Sequence, residues 1–122
     1  MQARTFRRPL SARNLDAYRV ARELNRTCNP FIVRTARHDK KLAEQLGKAL
    51  PSVPQNFSEG MRRTGNDRHH LLTVALGSAD EVRAILDNLE DRGIISPDEA
   101  RRGDQLADRF CAMTYRLAER VA

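Results

Sequence analysis

The sequence has no tryptophan and only six aromatic residues, too little ring surface for a large β-sandwich core or an aromatic-lined pocket. Cysteine is almost as scarce. Cys28 and Cys111 form no CxxC or other metal spacing, and each falls in an apolar stripe at helical spacing, so they are expected to be buried free thiols rather than a disulfide. No apolar run approaches the ~20 residues of a membrane span, and the basic start lacks the apolar core of a signal peptide. The expectation is therefore a cytoplasmic protein with no membrane partner.

Motifs of catalysis are missing as well. The chain has no glycine-rich phosphate loop, no GxSxG elbow and no paired catalytic acids, and it is read as no enzyme, with no catalytic residue and no cofactor. His69 and His70 are adjacent, so on a helix they point about 100° apart and do not grip one metal as an i, i+4 pair would. His38 is the only other histidine, and no metal site is expected.

What the sequence does have is positive charge in one half. Residues 1–61 hold twelve Lys or Arg against five Asp or Glu, a balance of +7, whereas residues 62–122 hold ten against eleven, so the net +6 belongs to the first half. Such asymmetry suits an oriented positive surface that attracts an anionic polymer.

The other abundant signal is helical periodicity, in a composition dominated by Ala, Leu, Arg and Glu. Residues 1–13, with Arg4, Arg7, Arg8 and Pro9, lack the periodicity and read as a flexible basic arm, leaving 14–122 as a single domain. A first helix starts at Asn14, with Leu15, Tyr18, Ala21, Leu24 and Cys28 on one face. It weakens at Asn29-Pro30, and whether it continues to about 35 is left open. Its other side carries Arg19, Arg22 and Arg26, as a solvated face or a phosphate contact. A second helix spans 39–61 with Asp39 as N-cap. A third runs over 66–92, capped by Asn66, and a fourth over 97–121, opened by the capping box Ser96-Pro97-Asp98-Glu99. The apolar arc of the third helix covers about 200°, wider than one seam needs. Either it touches both neighbours deeply or part of it meets another subunit.

The second helix contains a conflict. Leu42, Leu46, Leu50, Val53, Phe57 and Met61 hold one register straight across Pro51 and Pro54, each of which costs roughly 3 kcal/mol in a helix interior. A polar connection would break the register, so one proline-bent helix is expected. Within the motif, Asn56 is expected to satisfy backbone groups loosened by Pro54, Glu59 to meet an arginine across a helix or subunit contact, and Gly60 to mark the helix end. Gly77 and Ser78, in mid-helix, suit the close approach of a neighbouring backbone.

The run Ser52-Val53-Pro54-Gln55-Asn56-Phe57-Ser58-Glu59-Gly60, followed by Ala75-Leu76-Gly77-Ser78 and Glu81, resembles the bacterial family encoded in intervening sequences of 23S ribosomal RNA genes. The accessory variability determinant of diversity-generating retroelements is a related branch. The resemblance spans roughly Leu15 to Leu117. It implies an all-α, up-and-down four-helix bundle assembled as a ring-like homopentamer, with no catalytic residues to carry over. Pro51 and His69-His70 depart from the family pattern.

Two functions follow from charge and resemblance together. One is a homo-oligomer that binds nucleic acid, RNA in the first place, through Arg7, Arg8, Arg34, Arg37, Lys40, Lys41, Arg62 and Arg63. The other is a protein–protein adaptor ring, for example an accessory subunit for a reverse transcriptase. The basic residues fall at two helix connections, at opposite ends of an up-and-down bundle.

Overall fold

The computed structural model describes the backbone of residues 12–119 and the side chains of 15–119. Four helices account for almost all of it: α1 (Ala12–Ala36), α2 (Lys40–Met61), α3 (Gly65–Asp91) and α4 (Pro97–Glu119). Short turns make consecutive helices antiparallel, and α1 packs on α2 and α4 while α3 packs on α2 and α4. The result is the up-and-down four-helix bundle read from the periodicity, with α1 and α3 diagonal to each other and running the same way.

The core is the set of apolar stripes turned inward. Leu24, Leu46, Leu50, Val53, Phe57, Leu72, Leu86, Leu89 and Phe110 are fully buried. Phe57 of α2 and Phe110 of α4 meet edge to face, with ring centroids 5.6 Å apart at 69°. α3 sits deep between its two neighbours: Leu72, Ala75, Ala79, Val82, Ile85, Leu86 and Leu89 are buried within the protomer. α2 and α4 thus cover most of its broad apolar arc, while Leu71, Val74 and Leu76 stay partly exposed.

The helix ends follow local chemistry. Asp39 caps α2 by accepting from the Leu42 N–H at 3.0 Å. Ser96 and Glu99 exchange hydrogen bonds, Glu99 N–H to Ser96 Oγ at 3.1 Å and Ser96 N–H to Glu99 Oε1 at 2.9 Å, which completes the capping box of α4. α3 ends in a Schellman turn: Ile94 N–H reaches the Leu89 carbonyl and Gly93 N–H the Glu90 carbonyl, with Gly93 at φ +71. The start of α3 departs from expectation. Thr64, not Asn66, is the N-cap, and it makes no side-chain capping bond, because Gly65 at φ +59 turns the chain one residue earlier than the asparagine.

Three prolines lie in helix interiors, Pro30 in α1 and Pro51 and Pro54 in α2. α1 continues through Pro30, which lies on its exposed side, where water can meet the freed Arg26 carbonyl. Pro54 is only half-exposed, and it leaves the Leu50 carbonyl without its usual donor. The replacement comes from α1: Asn25 Nδ2 donates to the Leu50 carbonyl at 2.8 Å. Asn56, expected in that role, instead donates to the Ser52 carbonyl at 2.9 Å and to Ser52 Oγ at 2.8 Å. One turn of helix separates Asn56 from Ser52, so the side chain folds back on its own helix and does not reach Leu50.

Candidate nucleic-acid interface

The basic residues singled out in the sequence fall at the two ends of the bundle. Arg34, Arg37, Lys40 and Lys41 surround the α1–α2 turn, and Arg62 and Arg63 lie at the α2–α3 turn. Arg7 and Arg8 lie outside the described residues, as does most of the arm assigned to 1–13, whose last two residues belong to α1. The two turns lie at opposite ends of the bundle, so the six described candidates do not form one surface.

At the α1–α2 end the fold adds acids that local charge counting does not see. The α3–α4 turn lies beside it, and two ion pairs join the turns. Arg34 grips Glu99 with both guanidinium nitrogens, at 3.0 and 2.6 Å, donates to the Ile94 carbonyl at 3.4 Å and lies over the Phe31 ring at 4.9 Å. Arg92 of the α3–α4 turn bonds Asp39 at 3.1 Å. The hydrogen bond from Arg34 and then the Ser96 N–H pull the Glu99 carboxyl down to about 2. Arg34 is therefore a structural tie between α1 and α4, its guanidinium already engaged by Glu99. Arg37, Lys40 and Lys41 are exposed and make no ion pair with any described residue.

At the other end both arginines are engaged close to home. Arg62 donates to Ser58 Oγ at 2.7 Å, and Arg63 pairs with Glu59 at 2.6 Å. Glu59 thus finds its arginine on the next turn of its own chain, not across a helix or subunit contact, because the i, i+4 spacing already brings the two together. His69 Nδ1 lies 3.3 Å from the Ala118 carbonyl, fastening the start of α3 to the end of α4.

The small residues divide into two kinds. Gly60 lies inside the last turn of α2, and a Cβ there would stand 3.1 Å from both Leu71 Cβ and Leu72 Cδ2. Close α2–α3 packing favours glycine there, one residue before the end of α2. Ser78 shares a 2.7 Å hydrogen bond with Ser52 across the same seam. Gly77 is exposed, and a Cβ there would meet nothing within 4 Å, so the protomer itself supplies no close approach. Gly103, which the sequence does not flag, packs where a Cβ would stand 2.6 Å from Leu86 Cδ1 and 3.2 Å from Cys28 Sγ.

Cys28 is fully buried and Cys111 half-buried, both as free thiols, and burial pushes them up to about 12 and about 11. Cys111 lines an open groove between α3 and α4 with Leu76, Asp80, Asp108, Tyr115 and Arg116. Among the described residues, no group of three or more His, Cys, Asp or Glu is placed to hold a metal ion, and no helix is long and apolar enough to cross a membrane.

Four antiparallel helices define an all-α four-helix-bundle protein. Residues 13–116 match the family model for the 23S rRNA-intervening sequence protein, and the chain belongs to that family. No curated protein and no solved structure gives a match.

Proposed function

We propose that this chain is a non-catalytic, self-associating, cytoplasmic protein that binds nucleic acid, RNA in the first place, through the α1–α2 end of the bundle. The observation that carries this reading is the trio Arg37, Lys40 and Lys41, exposed at one turn and without an ion pair among the described residues. Three cations at one turn meet successive phosphates without reading sequence. A single such turn binds weakly, and self-association repeats it, turning weak contacts into avidity. The family's tie to 23S rRNA intervening sequences supports RNA as the polyanion.

A gel shift with mixed-sequence RNA and DNA tests the proposal. Binding at low salt that falls steeply as salt rises is the expected result, and no binding at low salt overturns it. Arg37→Glu, Lys40→Glu and Lys41→Glu together should abolish the shift. The adaptor reading, with a reverse transcriptase as the example of a partner, has one observation on its side: Tyr115, 58% exposed, at the rim of the α3–α4 groove. An adaptor retains a specific protein in a pull-down after nuclease treatment, whereas a nucleic-acid binder loses its captured material.

A further inference from the structure

The outward faces of α1 and α3 carry opposite charge. On α1, Arg19, Arg22 and Arg26 fall with Val33 within an arc of about 60° at 100° per residue. All four are exposed, and none of the arginines makes an ion pair with a described residue. Val33 is 62% exposed, one of two large apolar side chains so exposed among the described residues. On α3, Asp80, Glu81, Asp87 and Asp91 surround Gly77 and Ala84 in an arc of about 120°. These too are exposed, and the four acids have no cationic partner among the described residues. Other charges across the helix seams do find each other: Arg34 with Glu99, Arg83 with Asp104, Arg92 with Asp39 and Arg102 with Glu23.

We propose that the α1 face of one copy docks on the α3 face of another, making a head-to-tail contact between copies of this chain. The inference rests on the self-association put forward above and names its surfaces. Like-on-like contact is disfavoured, because a two-fold axis through either face sets arginine against arginine or carboxylate against carboxylate. Pairing α1 with α3 neutralises both and fixes orientation.

The heights match as well. The Asn25–Leu50 and Ser52–Ser78 hydrogen bonds tie α1 to α2 and α2 to α3. Stepping along the antiparallel α2 puts Asn25 level with Asp80, to within about one helical turn. Arg22 and Arg26 then lie level with Asp80 and Glu81. Val33 falls beside Ala84 and Asp87. Rotation about an axis parallel to the bundle keeps every height, and α1 and α3 run the same way, so a closed ring brings these groups together without sliding the helices. Gly77 and Ala84 let the backbones approach, which gives Gly77 the neighbour that the protomer lacks. The arginines of α1 are in this arrangement covered by a sister copy, and the α1–α2 turn stays open for nucleic acid.

Light scattering and sedimentation of the full chain test the contact. The wild type should be an oligomer that dissociates as salt rises. Arg22→Glu with Arg26→Glu should give a folded monomer by circular dichroism, and so should Asp80→Arg with Glu81→Arg. Mixing the two variants should restore association, since each supplies the face the other lost. An oligomer that survives both pairs of substitutions overturns the interface while leaving self-association standing. Failure of the mixture to associate overturns it too. If Arg22→Glu with Arg26→Glu removes the RNA gel shift but leaves the oligomer intact, the α1 face belongs to nucleic acid and the inference falls.

Discussion

Asn25 of α1 donates to the Leu50 carbonyl of α2 at 2.8 Å, the carbonyl that Pro54 deprives of a backbone donor. The bond explains how a helix with proline in its interior remains one element: the missing partner is supplied by the neighbour, at the cost of tying α1 and α2 into one register. Asn25→Ala should lower stability by about 1–3 kcal/mol, the range for a buried acceptor left unmet. In a Pro54→Ala background the residue-54 N–H returns to that carbonyl, and Asn25→Ala should cost less. Urea unfolding of the four proteins of this cycle measures the coupling; strict additivity would show that Asn25 does not serve the proline.

Glu99 gives the bundle an acid-sensitive joint. Its folded pKa, about 2, lies below the value near 4.3 expected of the unfolded chain, so the unfolded state takes up a proton first as pH falls. Stability from this group is complete above about 4.3 and is lost as pH drops toward about 2. Asp39, lowered by the Leu42 N–H and by Arg92, acts in the same direction at the same end. Both side chains of the Arg34–Glu99 pair are about a third exposed, 37% and 36%, so solvent screening holds the effect to roughly 1 kcal/mol. Glu99→Gln should flatten thermal stability between pH 5 and 2, about the interval set by those two values; an unchanged slope would show that the pair contributes nothing.

The glycines should answer differently to the same substitution. Gly77→Ala meets open space and should stabilise the protomer by up to about 1 kcal/mol, the helix-propensity difference. Gly60→Ala sets a methyl 3.1 Å from Leu71 Cβ, an atom fixed to its own backbone, and should destabilise by about 1–3 kcal/mol through overpacking. Thermal melts at low protein concentration separate the two, and equal shifts would refute the packing argument.

The thiols should be slow. Burial holds Cys28 near 12 and Cys111 near 11, so at pH 8 a thiol reagent should leave Cys28 untouched in the folded protein and modify half-buried Cys111 only slowly. Both should react at once in denaturant, and rapid native labelling of Cys28 would mean that the bundle opens locally.

Much of this fold is written in short-range chemistry. Asp39, the Ser96–Glu99 box and the unbroken register through Leu50, Val53 and Phe57 are i, i+3 and i, i+4 signals, and they place both ends of α2 and α3 and the start of α4 to within two residues, whereas the end of α1 beyond Pro30, open in the sequence between 29 and about 35, lies at Ala36. Gly103 and Asn25 were illegible for the opposite reason. Each acts on a residue of another helix, Leu86 in one case and Leu50 in the other, and no local pattern reports which side chain arrives there. The candidate site divides along the same line: exposed cations can be counted, but Glu99 and Asp39 reach Arg34 and Arg92 only once the two turns fold side by side.

That division gives the sharpest separation between stability and binding. Arg34, held by Glu99 and the Ile94 carbonyl, and Arg37, exposed and unpaired among the described residues, lie three positions apart in the chain, one in the last turn of α1 and the other just past its end. Arg34→Gln should lower the melting temperature and leave RNA affinity within about twofold, since its guanidinium is already engaged. Arg37→Gln should leave the melting temperature alone, weaken RNA binding, and reduce the slope of log affinity against log salt by about one, the signature of a lost phosphate contact. Salt-dependent filter binding beside a thermal melt reads both. If Arg34→Gln reduces the salt slope as much as Arg37→Gln does, the Glu99 pair opens to admit phosphate, and the α1–α2 turn binds with four cations instead of three.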